Sequence, residues 1–266
     1  MNDIVVFGST GFIGRNIYNF TVEKGYNVKG FSSETCNLLD RSEIKKVFAK
    51  INNDFALILC SSITRSEDDS LDSMFKNIQM IDNIVKEAPV KRVKIIIYFS
   101  SVDVYGSVTN KDEINENTIK QSVGYYGLSK LVSEHILRKN IQQIPITILR
   151  LPGIYGHGDN YKSVIGRFIN DGLTKREIKI TNDGAELRDY VEISDLCKIV
   201  DHFISNPFNS PVNIATGKSI KIRDIAYIVI KKLDNNVAIK KDKSYTPGAD
   251  LVFNNSLFRS IMPSFN

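Results

Sequence analysis

The stretch Ile4-Val5-Val6-Phe7-Gly8-Ser9-Thr10-Gly11-Phe12-Ile13-Gly14 decides how this chain is read. Its first four residues are a short apolar run of strand character, and Ile13, Ile17 and Phe20 continue at the spacing of one helical face. Between them lies a turn with glycines three residues apart. Glycine at the end of a strand permits backbone angles closed to other residues. Glycine at a helix start lets backbone N–H groups approach a pyrophosphate, and a third glycine lets helix and sheet pack closely. The Gly-x-x-Gly-x-x-Gly spacing is looser than the dinucleotide fingerprint Gly-x-Gly-x-x-Gly. Its weight comes from its place between a first strand and a first helix. Gly8, Thr10, Gly11, Phe12, Ile13 and Gly14 are therefore candidate cofactor-binding residues, against the alternative of a purely structural turn.

Working outward, strand-like and helical segments alternate. Val28–Phe31 reads as a second strand, Arg41–Lys50 as a helix and Phe55–Cys60 as a third strand. Leu71, Met74, Phe75, Ile78, Ile81 and Val85 mark a longer helix that Pro89 ends. Val93–Phe99 is continuously apolar, as expected where both faces of a parallel sheet are covered. A helix over Tyr126–Asn140 and a strand over Ile146–Leu151 complete the series. The pattern predicts an α/β fold, a Rossmann-type doubly wound parallel sheet with a smaller C-terminal substrate-binding lobe. The expected division is a dinucleotide-binding domain over 1–152, to which strands near 187–215 return, and a mainly substrate-binding lobe over 153–266.

Composition excludes several classes. The chain has 266 residues, 42% hydrophobic and 24% charged, and no apolar run of transmembrane length. Its start runs directly into the first strand without a basic leader, so a cytoplasmic protein with no membrane partner is expected. Cys36, Cys60 and Cys197 are odd in number and widely spaced, which offers neither a disulfide framework nor a metal site. The net charge of +5 is carried by scattered Lys and Arg, not by a basic stripe. This pattern argues against nucleic acid and suits an anionic small molecule.

The cofactor reading turns on the second strand. An NAD site usually places Asp or Glu there to hold the ribose 2′-hydroxyl. Here Phe31-Ser32-Ser33 has no carboxylate before Glu34. The hydroxyls of Ser32 and Ser33 can donate to a 2′-phosphate, so NADP(H) is favoured over NAD(H). Arg15 and Arg41 are the candidate cations. Asp40 can accept from the adenine amino group or cap the helix beginning at Arg41.

Tyr126 and Lys130 stand one helical turn apart and share a face. An ammonium about 4 Å from a phenolate stabilises it by roughly 4 kcal/mol at an effective dielectric near 20. That would bring a tyrosine from near 10 toward physiological pH and fit it for proton transfer at a carbonyl or alcohol. Tyr227 and Lys231 have the same spacing without the same context, and serve as an internal control. Ahead of Tyr126, the fourth strand ends in Ser100-Ser101-Val102-Asp103-Val104-Tyr105-Gly106, at the ligand-binding edge of such a sheet. Ser101 can hydrogen-bond a reacting oxygen there, or cap the loop.

These stretches, with Leu149-Arg150-Leu-Pro-Gly-Ile-Tyr-Gly156, Arg188-Asp-Tyr-Val-Glu-Ile-Ser-Asp-Leu196 and Val212-Asn-Ile-Ala-Thr-Gly217, resemble the extended short-chain dehydrogenase/reductases, the NAD-dependent epimerase/dehydratase family. The resemblance implies Ser101, Tyr126 and Lys130 as a catalytic triad, with Lys130 also holding the nicotinamide ribose. It implies Ser61 and Ser62 along the cofactor. It also implies that Ser101 and Tyr126 meet the substrate and that Arg188 contacts nucleotide phosphates; a surface ion pair with Asp189 is the alternative. A homodimer through the helices around Leu71–Val85 and Tyr126–Asn140 is common in the family.

The chain departs from the family pattern at four positions. Val102 stands where dehydratases carry Asp, which disfavours loss of water. Asp103 occupies the position of a dehydratase Glu, and is either an extra acid/base or a polar turn residue. Gly153 replaces a common asparagine, and Glu192 stands where His or Tyr is usual. The chain is short for the family, the stretch from the second strand to Asp40 is contracted, and the 2′-hydroxyl carboxylate is missing. Together these lead to an NAD(P)-dependent oxidoreductase that reduces a keto group of a nucleotide-activated deoxysugar. The alternatives are a UDP-hexose 4-epimerase-like isomerase with tightly bound NAD, and a non-catalytic dinucleotide-binding protein.

Overall fold

A computed structural model describes residues 2–106, 113–233, 236–242 and 249–265. In chain order the elements are β1 (Asp3–Phe7), α1 (Phe12–Glu23), β2 (Asn27–Phe31), α2 (Arg41–Ala49), β3 (Phe55–Leu59), α3 (Leu71–Glu87), β4 (Val93–Ser101), a 3₁₀ turn (Val102–Tyr105), α4 (Tyr125–Asn140) and β5 (Ile146–Leu151). There follow β6 (Gly153–Tyr155), α5 (Val164–Lys175), β7 (Glu177–Thr181), β8 (Leu187–Arg188), β9 (Tyr190–Glu192), α6 (Ile193–Ser205), β10 (Pro211–Asn213), β11 (Ile220–Lys221), α7 (Ile222–Lys232), β12 (Ala238–Asp242) and α8 (Ser256–Ile261). The chain divides into two compact units. The first comprises Met1–Gly106, Lys120–Arg150 and Ser194–Val212, and the second holds the remainder.

A six-stranded sheet in the order β10-β5-β4-β3-β1-β2 organises the first unit. β1 runs parallel to β2 and to β3, and β3 runs parallel to β4. All five residues of β3 are buried, so both faces of the sheet are covered. On one face Phe7 meets Phe48 edge-on at 5.8 Å, and Phe48 stacks near Phe55 at 6.1 Å. The chain leaves β1 for β2 on one side and returns to β3 on the other. Such a reversal of strand order opens a crevice at the carboxyl ends of the strands, where ligands of this architecture bind.

α4 breaks the usual rule for a buried helix face. Besides Gly127 and Leu137, its buried residues are Ser129, Lys130, Ser133 and Glu134. Buried polar groups require partners, and those of Lys130 and Glu134 lie in the candidate site.

The second unit has its own apolar centre, where Phe168 of α5, Ile178 and Ile180 of β7, and Ile225, Ala226 and Val229 of α7 pack together. Its strands pair in twos, β6 with β9, β7 with β12 and β8 with β11. Gly153 in β6 is explained by its neighbour, because a Cβ there would stand 2.6 Å from the Tyr190 ring. The family's asparagine would not fit unless that ring moved.

Candidate active site

The glycine turn sits at the carboxyl end of β1. Gly8 has φ +84°, and both Gly8 N–H and Ser9 N–H donate to the Phe31 carbonyl, at 2.8 and 3.1 Å. A Cβ on Gly8 would lie 2.7 Å from Ser61 N, and one on Gly14 would overlap the Gly8 carbonyl oxygen. These two glycines are required by the protein's own backbone. Gly11 is different: a Cβ there meets only the Gly8 carbonyl oxygen, at 3.5 Å, which is ordinary contact. Gly11 is also the N-cap of α1 and has no side-chain cap, and α1 has no acidic residue in its first turn. A helix start left open in this way suits an approaching anion. Thr10 and Gly11 are exposed beside it, with Phe12 and Ile13 half-buried. The residues present therefore fit a dinucleotide pyrophosphate.

Beyond β2, Ser32 and Ser33 lie on a tight local turn. The Ser32 hydroxyl accepts the Glu34 N–H at 3.3 Å, and the Ser32 N–H donates to Thr35 Oγ1 at 2.9 Å. Asp40 caps α2; a hydrogen bond with the Ser42 hydroxyl, and then the Ser42 N–H accepted at 2.8 Å, hold its carboxyl below the usual range. Arg41 is paired with Glu87 at 2.6 Å and is not directed at the end of β2.

The candidate reacting groups lie where β3, β4 and α4 end or begin. Ser101 closes β4, and its hydroxyl accepts the Asp103 N–H at 3.1 Å. The loop-capping role is thus realised, and the serine O–H retains its proton to donate. Lys130 Nζ donates to the Phe99 carbonyl at 2.8 Å and lies 5.1 and 5.5 Å from the ring centroids of Tyr98 and Tyr126. Burial pulls its pKa down to about 8, partly opposed by Cys60 and Glu134. Tyr126 is pushed well above its ordinary value, first by burial and then by Asp103; Arg65 and a hydrogen bond with Ser62 act the other way. The lowering expected from Lys130 does not occur. The ammonium points at a backbone carbonyl, not at the phenol oxygen, and spacing along a helix does not reveal that choice.

Further polar groups, not singled out from sequence, hold this arrangement. Asn77 of α3 accepts the Ile63 N–H at 2.8 Å and donates to the Ile63 carbonyl at 2.9 Å, which fixes the segment carrying Ser61 and Ser62. Glu134, one turn beyond Lys130, accepts from Arg150 Nε and Nη2 at 3.0 and 2.6 Å and from the Ser100 hydroxyl at 2.5 Å. Arg150 also donates to the Tyr105 hydroxyl at 2.8 Å. The signal was present in the sequence, since Arg150 interrupts the apolar run of β5 and a charge so placed demands a buried partner. Gly127 lets α4 approach the 3₁₀ turn, because a Cβ there would lie 2.5 Å from the Asp103 carbonyl oxygen.

Arg188, in the second unit, donates to the carbonyls of Leu187 and Ala249, both at 2.7 Å. Asp189 is not its partner. That carboxylate is buried and accepts from Thr216 N, Thr216 Oγ1 and Gly217 N. Tyr227, the control tyrosine, is 60% exposed on α7.

Comparison with known proteins places the chain in a family. Residues 4–215 match the NAD dependent epimerase/dehydratase family, and the chain belongs to that family of extended short-chain dehydrogenase/reductase enzymes. GDP-6-deoxy-D-talose 4-dehydrogenase from Aggregatibacter actinomycetemcomitans is 24% identical, over 93% of this chain and 86% of its own length. dTDP-D-glucose 4,6-dehydratase from Dictyostelium discoideum is 25% identical over 85% of this chain, which spans only 61% of that longer protein. Among solved structures, the NAD dependent NDP-hexosamine 5,6-dehydratase TunA superposes with a TM-score of 0.86 at 18% identity, covering 98% of this chain and 91% of TunA. These relatives act on nucleotide-linked sugars by different reactions.

Proposed function

We propose that this enzyme transfers a hydride between a nicotinamide dinucleotide and a nucleotide-activated sugar, reducing a keto group of a deoxysugar. The observation that carries the reading is the placement of Ser101 at the end of β4 and of Tyr126 and Lys130 on one face of α4, with Lys130 Nζ 5.5 Å from the Tyr126 ring. The phenol, raised above its ordinary value near 10, keeps its proton at neutral pH as an ordinary phenol does, and so has it to donate during carbonyl reduction. Val102 supports the same direction. It is an apolar, buried residue immediately after Ser101 and cannot supply the acid that loss of water requires.

Gly8–Gly14 would hold the dinucleotide, whose reduced form would supply the hydride. Ser61 and Ser62 line it, and Lys130 holds its nicotinamide ribose. Ser101 donates a hydrogen bond to the sugar carbonyl oxygen and polarises it. Tyr126 delivers the proton to that oxygen, Asp103 adds a second acid/base group beside it, and Arg188 binds the substrate phosphates. Ser32, Ser33 and the absence of a carboxylate before Glu34 support NADP(H) over NAD(H), with Asp40 toward the adenine.

The free thiols Cys36, Cys60 and Cys197 suit a reducing cytoplasm. No described helix is long and apolar enough to cross a membrane. Exposed Leu71 and Phe75 on α3, with Tyr125 and Val132 on α4, support a homodimer through these helices.

The test is an absorbance assay with 4-keto-6-deoxy sugar nucleotides and NADPH. Net oxidation of NADPH is expected. Isomerisation of a sugar nucleotide with no net change in cofactor would replace this reading with the epimerase.

A further inference from the structure

The segment between β3 and α3 is tied down along its length. Asn77 holds Ile63, the Thr64 N–H and hydroxyl both meet Glu67 Oε2 at 3.0 and 2.9 Å, and Ser70 caps α3 in a reciprocal pair with Ser73. Asp69 reaches across to accept the Tyr126 N–H at 2.7 Å. Arg65 lies between these anchors with its side chain 66% exposed. It nevertheless turns back onto Asp103, Nη1 to Oδ1 at 3.3 Å, and Asp103 is only 26% exposed. An ion pair this open to water contributes little to stability. Its effect is on the charge around its neighbour.

We propose that Arg65 is a positioning residue of this site: through its ion pair at 3.3 Å it holds the Asp103 carboxylate and offsets part of that charge beside the Tyr126 phenol. The proposal rests on the reading of Tyr126 as the proton-transfer group. The groups facing that phenol come from three elements and one segment. Asp103 lies on the 3₁₀ turn, and Ser62, Arg65 and Glu67 belong to the tied segment. Lys130 lies along α4 and Tyr98 along β4. Asp103 and Glu67 disfavour the phenolate, whereas Arg65 and Ser62 favour it. Without Arg65, the Asp103 carboxylate faces the phenol with less opposing it. Without Asp103, the guanidinium does.

Nitration by tetranitromethane, which attacks phenolate, tests this on the intact chain without substrate. The rate at Tyr126 is read by peptide mass spectrometry at fixed pH, with exposed Tyr227 as the internal reference. Arg65→Ala should slow nitration of Tyr126 about threefold or more, and Asp103→Asn should speed it about as much, the change expected for a shift near half a pH unit. The double variant should return close to the starting rate, and Arg65→Lys should stay near it. A segment merely loosened by mutation would expose Tyr126 and speed nitration in both single variants. Changes in the same direction, or no change in either, would overturn the proposal. This outcome is independent of which sugar, if any, the enzyme reduces.

Discussion

Glu134 and Arg150 form a two-pronged ion pair with a closest distance of 2.6 Å, at side-chain exposures of 6% and 3%. Glu134 lies one turn beyond Lys130, and its other contact, Ser100, precedes Ser101. The pair therefore braces the stretches of α4 and β4 that carry Lys130 and Ser101. Removing one partner of a buried pair leaves the other charge without solvent or counterion, at a cost of about 3–5 kcal/mol. Glu134→Gln should lower unfolding free energy by that order in urea titration. Exchanging both residues for methionine should recover much of the loss, since apolar replacement of a whole pair is often neutral. A Glu134→Gln protein as stable as the parent would mean that the pair is not formed.

Tyr126→Phe removes the proposed proton donor while keeping the ring against Lys130. Turnover should fall on the order of 100-fold or more, with dinucleotide affinity little changed. Tyr227→Phe is the matched control, with the same spacing to a lysine but on an exposed face. It should turn over as the parent does. Equal loss in both variants would show that the assay follows stability, not proton transfer.

Periodicity located the elements well because it reports which face of a segment is buried. The helix expected over Arg41–Lys50 is Arg41–Ala49, and the strand expected over Ile146–Leu151 is found at those bounds. What periodicity leaves open is the atom a side chain meets at the far end of its rotamers. Tyr126 and Lys130 share a face as their spacing requires, yet the ammonium goes to the Phe99 carbonyl. Arg188 and Asp189 are sequence neighbours of opposite charge, yet each bonds elsewhere. Asn77 looks like one polar residue on a long helix until its two bonds to Ile63 are seen. Such partners are brought together by the order of the strands, which no local pattern contains.

Lys130 gives a pH dependence of stability with a definite sign. Burial pulls its pKa in the folded chain down to about 8, below the ordinary lysine value of 10.5. Between these two values the unfolded chain holds a proton that the folded chain has released, so stability increases with pH across this window. The slope approaches about 1.4 kcal/mol per pH unit where the two states differ by a full proton. Below about pH 8 the buried ammonium opposes folding. Lys130→Met should therefore make the cofactor-free protein more stable at pH 7 while abolishing turnover. Subtracting its stability–pH curve from that of the parent should leave a rise confined to about pH 8–10.5. A flat difference would mean that Lys130 is not desolvated.

Gly11 separates the needs of the fold from those of a ligand. Gly8 and Gly14 cannot carry a side chain, because each would strike backbone atoms of the protein itself. At Gly11 the backbone has φ −68° and ψ 168°, an extended conformation open to any residue, and an added Cβ meets only one oxygen at 3.5 Å. Gly11→Ala should therefore still fold, losing about 1 kcal/mol or less because alanine is a poorer N-cap than glycine. A methyl group at the open start of α1 nevertheless stands where a pyrophosphate must approach the helix amides. Dinucleotide affinity, read by quenching of intrinsic tyrosine fluorescence or by calorimetry, should fall tenfold or more. Unchanged affinity in a normally folded Gly11→Ala protein would place the pyrophosphate elsewhere and remove the glycine turn from the cofactor site.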